Sequence, residues 1–306
     1  MTGAAGAAGV DRAARTGLLL MVGAMAVAPL MDTLAKILVQ TMPAVEVAAG
    51  RFLAQTLVLA PIVLLGGRPP RPGRLHAAGG ACLGLALLSI NLALRELPVA
   101  NVIAIFFVEP LILTVLAAPL LGEPIGWRRL AAVAVGLGGA LIVLRPNAAA
   151  HGWAAVWPLA AAALFALYMI ATRAMTKRGG LVAMQFWIGV FAFLTLAAGT
   201  LVGAVLGGAR LAAPDGAALV IFAALGLLAA GTHQMIAQAL ARIDAGAAAP
   251  LQYLEIVSAT ALGWLVFGDF PDRWTWVGTA VIVGAGLYVA HRERRVGAAA
   301  PPAVPG

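Results

Sequence analysis

A single cysteine, Cys82, stands among the 306 residues, so the chain can form no internal disulfide and no cysteine metal site. Charge is scarce as well. Asp, Glu, Lys and Arg make up 10% of the residues, where a soluble domain carries about a quarter. Serine occurs only at Ser89 and Ser258, neither within Gly-x-Ser-x-Gly, and the four histidines stand singly, with no His-Glu-x-x-His. Intramembrane serine proteases and metalloproteases need those groupings. A phosphate-binding P-loop is missing, which argues against an ATP-driven pump. Nothing resembles a selectivity-filter loop or a ring of like charge, which argues against a channel. No catalytic residue, metal or cofactor is therefore assigned.

What fills the chain instead is apolar: 62% of it is hydrophobic. So large a share makes sense when lipid solvates the outside of the protein. Apolar stretches near 20 residues, the length a helix needs to cross the hydrocarbon, recur along the whole sequence. They read as ten spans: 16–39, 44–65, 75–95, 100–121, 127–144, 153–173, 181–206, 216–240, 246–267 and 274–290. The first follows Arg12 and Arg15 like the core of a signal peptide, but it runs on through Asp32 and Lys36 and reads as an uncleaved span. Residues 293–306, rich in Ala, Pro and Gly, read as a disordered tail.

The net charge of +8 does not indicate nucleic acid, because the arginines form no patch with interleaved aromatics. They lie singly or in small groups between apolar segments. With the N-terminus inside, 14 Lys and Arg residues fall on the cytoplasmic side and 4 outside. That bias places both termini in the cytoplasm and requires an even number of spans.

The two halves align without a gap at an offset of 146 residues: Glu109 on Glu255, Thr114 on Thr260, Gly122-Glu123 on Gly268-Asp269, Gly138 on Gly284. Five spans per copy is an odd number, so the second copy enters the membrane in the opposite sense. The expected fold is all-α and integral to the membrane, with ten transmembrane helices as two inverted five-helix repeats. The repeats cover 16–145 and 153–292, with 1–15 as a cytoplasmic N-terminus. Inverted repeats are a recurring transporter design, with the substrate near the midplane between the halves.

Several stretches also resemble the drug/metabolite transporter superfamily and its EamA-type carriers. They are Asp32-Thr-Leu-Ala-Lys36, Arg51-Phe52, Glu109-Pro110 through Leu121-Gly122-Glu123, and Ala249-Pro250-Leu251 through Phe267-Gly268-Asp269. Asp269 stands where such carriers often have Glu. The resemblance implies a secondary transporter of small organic metabolites in the bacterial inner membrane. The run Pro250-Leu-Gln-Tyr-Leu-Glu resembles the uptake branch that includes riboflavin and S-adenosylmethionine carriers; an exporter of amino acids or drugs is the alternative. The partners are a small-molecule substrate and the bilayer, and a homodimer stays open.

Charges inside spans are the natural site candidates, since each costs roughly 2.5–3.5 kcal/mol at the helix centre. Asp32 and Lys36, four apart, share one helix face and can pair. Lys36 or Arg51 either ties spans one and two together or meets an anionic substrate group. Glu109 and Glu255 sit at equivalent depth, and each either fixes helix packing or serves substrate binding or proton coupling. Asn91 and Gln252 are polar at cavity depth. Tyr253, Tyr168, Trp187 and Trp264 can stack on a planar substrate. His233 either relays a proton or is satisfied by a neighbouring carbonyl. Lys36, Arg51, Asn91, Glu109, Gln252 and Glu255 are expected to border one central cavity.

Overall fold

The computed structural model describes residues 2–66, 71–121, 127–144, 154, 156–175, 180–207, 212–243 and 245–298. Among them there is no strand. Inside lipid a segment must satisfy its own backbone groups, and the helix does so. The helices are α1 (Thr2–Val39), α2 (Ala44–Leu65), α3 (Arg74–Leu94), α4 (Val99–Phe106), α5 (Glu109–Leu121), α6 (Trp127–Leu144), α7 (Val156–Met175), α8 (Leu181–Gly207), α9 (Gly216–Leu240), α10 (Ala245–Gln252), α11 (Leu254–Phe267) and α12 (Arg273–Ala298). Eight stretches are long and apolar enough to cross a membrane, and α4–α5 and α10–α11 each count as one of them. Two shorter apolar helices, Leu130–Leu144 and Val156–Thr172, fall at the fifth and sixth expected spans. Exposed leucines such as Leu19, Leu65, Leu201 and Leu265 cover the outside, as lipid contact requires.

Three expectations need correction. The last helix does not stop at 290 but continues to Ala298, so 293–298 are helical rather than disordered. Spans four and nine are not continuous helices. Span four breaks at Phe107 and Val108, and span nine at Tyr253. At the first break the cause is local. Pro110 has no N–H to give the Phe106 carbonyl, and α4 ends at Phe106. The second half has Ile256 in the corresponding place, and its N–H bonds back only three residues, to Tyr253 O at 3.1 Å. The Gly122-Glu123 turn and Trp153 lie outside the described residues.

Packing brings α1 against α9 and α11, α7 against α3, α4 and α5, α2 against α8 and α9, α3 against α8, and α6 against α12. The α6–α12 crossing is close. A methyl group on Gly278 would meet the Gly139 carbonyl oxygen at 2.5 Å, and only small residues let helix backbones approach so near. The main apolar core gathers Met31, Leu38, Ile90, Leu94, Val102, Ile105, Leu225 and Ile282 from helices along the whole chain.

One interhelical bond follows from a proline. Pro29 lies inside α1 and cannot donate to the Met25 carbonyl one turn earlier. The Ser258 hydroxyl of α11 supplies the missing bond, donating to Met25 O at 2.7 Å. An orphaned carbonyl in the bundle is thereby satisfied, and α1 is tied to α11.

Candidate functional site

Lys36 does not pair with Asp32. Its Nζ donates to Asp269 Oδ2 at 2.7 Å and lies 4.6 Å from the centre of the Phe267 ring. Asp269 is brought there by the end of α11. Gly268 takes φ +73, a conformation glycine adopts without strain, and Asp269 N then bonds back to Gly263 O. Lys36 is buried, so the ammonium has exchanged water for a carboxylate and an aromatic face. The pair joins α1 to the far end of α11, across 233 residues of sequence.

Deeper in the bundle a second group assembles from four helices: Asp32 of α1, Arg51 of α2, His233 of α9 and Glu255 of α11. Arg51 interacts electrostatically with Asp32 and with Glu255, and His233 also lies in its field. All four are half-buried. Arg51 Nη2 reaches the Met31 sulfur at 3.5 Å, and its buried Nε has no partner. The His233 Nδ1 lies 2.7 Å from Ala229 O, one turn back. A carbonyl can only accept, so Nδ1 carries the hydrogen and the ring is satisfied in the simpler of the two expected ways. Two carboxyls facing one guanidinium balance when one carboxyl holds a proton. Proton uptake or release therefore switches the group between neutral and singly negative.

Glu109, the symmetry mate of Glu255, sits in a different setting. It opens α5, directly after the break, and one of its carboxyl oxygens is buried without a partner. Its charge is felt by Tyr253. Tyr253 packs on Phe107 with ring centres 5.2 Å apart. From Phe107 the rings run on through Phe106 and Phe165 to Tyr168. The Tyr253 hydroxyl rests against Gly286 of α12, where a methyl group would overlap it.

Asn91 is buried, and its Nδ2 donates to Ala44 O at 3.2 Å, which fastens α3 to the start of α2. Its Oδ1 is buried with no hydrogen-bond partner. Gln252 is half-buried at the end of α10, next to the break. Trp264 is exposed and packs on Phe270; Trp187 packs on Phe186. A groove of about 730 Å³ between α2, α8 and α9 is lined by Leu53, Leu57, Phe193, Leu219 and Phe222, and holds none of the expected site residues. Sequence reasoning missed Ser258, Phe106, Phe107 and Phe165. The offset of 146, which sets Phe107 on Tyr253, was a usable signal for one of them.

The sequence matches the EamA-like transporter family twice, over residues 15–145 and 152–290. The chain belongs to the EamA-like transporter family. It is a multi-pass membrane protein that transports small metabolites, of the drug/metabolite transporter type. Among the relatives of this EamA-like carrier is a riboflavin transporter from Rhizobium johnstonii, 33% identical over 215 residues, which cover 70% of this chain and 68% of that protein. An S-adenosylmethionine uptake transporter from Rickettsia felis is 26% identical over 268 residues, 86% of this chain and 88% of that one. A solved crystal structure shares the fold, with a TM-score of 0.59 at 19% identity over 94% of this chain and 99% of the other.

Proposed function

We propose that this carrier imports a water-soluble vitamin or nucleotide derivative, of the kind represented by riboflavin and S-adenosylmethionine, by alternating access across the bacterial cytoplasmic membrane. Ten transmembrane helices form two inverted five-helix repeats, with both termini in the cytoplasm. The observation that carries the reading is the pair of helix breaks. They lie 146 residues apart at Phe107 and Tyr253, and each is followed by a carboxyl, Glu109 or Glu255. Discontinuous helices at matching places in two inverted halves are where such transporters bind substrate and coupling ions.

The packing supports the symmetry. Exchanging the helices of one half for those of the other turns the α1–α9 contact into α7–α3, and α2–α9 into α8–α3. It turns α1–α11 into α7–α5 and leaves α2–α8 and α6–α12 unchanged. Within this scheme the two carboxyls divide the work. Glu255, with Asp32 and Arg51, carries a proton; Glu109 and Tyr253 face the substrate, with Gln252 beside them. Lys36 holds the outer ends of α1 and α11 together.

Uptake into proteoliposomes tests the reading, using riboflavin, S-adenosylmethionine and a set of amino acids with and without an acidic exterior. Accumulation of a vitamin or nucleotide derivative, enhanced by the gradient, is expected. Glu255→Gln keeps the shape and removes the titration, so it should take up substrate without responding to the gradient. A mutant that responds as the parent does makes Glu255 a packing residue. Accumulation of amino acids alone, or movement only outward, overturns the import reading.

A further inference from the structure

We propose that the aromatic row Tyr168–Phe165–Phe106–Phe107–Tyr253, closed at one end by Glu109, is the seat for a planar nitrogen heterocycle of the substrate, whose ring N–H or amino group the Glu109 carboxyl accepts. The inference rests on the transport reading above and adds to it a site and a ligand chemistry.

The row is continuous. Successive ring centres lie 5.2 Å apart for Tyr168 and Phe165, 5.4 Å for Phe165 and Phe106, 6.4 Å for Phe106 and Phe107, and 5.2 Å for Phe107 and Tyr253. It starts on α7, crosses α4 and ends at the break before α11, so it bridges the two halves beside both interruptions. Rings packed on rings need no carboxyl among them. Yet Glu109 stands at the end of the row with a buried oxygen that nothing in the protein serves. Leaving such an acceptor bare is costly, and a donor brought by a ligand removes the cost. The same break adds a second acceptor. The Phe106 carbonyl lies one turn before Pro110, which has no N–H to offer it.

Two acceptors and a row of π-faces select a flat molecule that carries donors on its edge. Flavin and adenine rings both meet that description. Charge narrows the class further. Arg51 interacts electrostatically with Asp32 and Glu255, and the Glu109 carboxyl itself favours neutral or cationic groups and disfavours anionic ones. Phe107 and Tyr253 are repeat mates that touch at an interplanar angle of 40°, neither stacked flat nor edge to face. Parting them opens a slot that a third ring can fill, at little cost in aromatic contact.

Binding and uptake are measured on the same purified full-length protein, with riboflavin and S-adenosylmethionine as heteroaromatic probes and an amino acid mixture as the non-aromatic one. The variants are Phe107→Leu, Tyr253→Leu, Tyr253→Phe and Glu109→Gln. Phe193→Leu, in the outer groove, serves as a control for aromatic loss, and thermal unfolding checks that each variant is folded. Base–aromatic stacking is worth about 1–3 kcal/mol per ring, or roughly 5- to 150-fold in affinity. Phe107→Leu and Tyr253→Leu should each weaken binding of the heteroaromatic probe at least about tenfold, Tyr253→Phe less than about threefold, and Phe193→Leu not at all. Glu109→Gln should weaken it while leaving the response of uptake to a pH gradient in place. If folded Phe107→Leu and Tyr253→Leu bind as the parent does while uptake proceeds, the seat lies elsewhere and only this inference falls. If the parent binds and transports neither heteroaromatic probe, both it and the import reading fall.

Discussion

Ser258 shows how one hydroxyl can substitute for a backbone donor that proline removed. Ser258→Ala leaves the Met25 carbonyl unserved, and an interhelical bond of this kind in a membrane is worth about 0.6–2 kcal/mol. The expected outcome is a lower midpoint of thermal unfolding in detergent. Adding Pro29→Ala restores an N–H to α1, so the double variant should regain most of the loss; a simple sum of two losses would disprove the coupling. Gly286 permits a similar test. Gly286→Ala places a methyl group against the Tyr253 hydroxyl and should abolish uptake, whereas Gly286→Ala with Tyr253→Phe should recover part of it. None of these relations could be read from the sequence, where Ser258 and Gly286 look like ordinary small residues of apolar spans. Their roles exist only once a partner 233 or 33 residues away is in place.

Among the elements, α1 and α11 are joined at two levels, by Ser258 to Met25 and by Lys36 to Asp269. Removing one partner of a fully buried ion pair costs about 3–5 kcal/mol. Asp269 is one-third exposed, so water offsets part of the loss and the effect of Asp269→Asn should be well below that range. The expected result is a modest drop in thermal stability with a larger change in uptake, because α1 and α11 are no longer held together there. Lys36→Asp combined with Asp269→Lys should restore uptake above either single change; no recovery would deny the pair its role. The helices themselves were legible, because lipid forces long apolar runs that a hydropathy reading detects. The choice of partner for Lys36 was not. Helical spacing offered Asp32 at four residues, but Asp32 lies in the field of Arg51, and the turn at Gly268 delivers the carboxylate that Lys36 meets. The broken spans were half legible: Pro110 signals a discontinuity, whereas nothing at Tyr253 does.

At the scale of the whole molecule, the offset of 146 between the halves was legible from the acids alone. An offset that matches Glu109 with Glu255 also matches Phe107 with Tyr253, and the structure sets that second pair in contact. The different surroundings of the two acids were hidden. Symmetry of sequence gives them equal depth, yet Glu255 lies in the field of Asp32 and Arg51, while Glu109 has a buried oxygen without a partner and its charge is felt by Tyr253. A tag accessibility assay checks the overall orientation, and both termini are expected to be protected in right-side-out vesicles; an exposed C-terminus would refute an even number of spans.

The crossed packing of α1 and α7 has a consequence for assembly. Each packs extensively on helices of the opposite half, α1 on α9 and α11, α7 on α3 and α5. A ribosome therefore delivers α1 long before its companions exist, and the first half must wait in the bilayer with one helix uncommitted. Cutting the chain between α6 and α7 and producing the pieces separately should yield two fragments that neither persist nor function alone. Produced together, they should find each other and rebuild a working carrier, with each piece completing the other by a single exchanged helix.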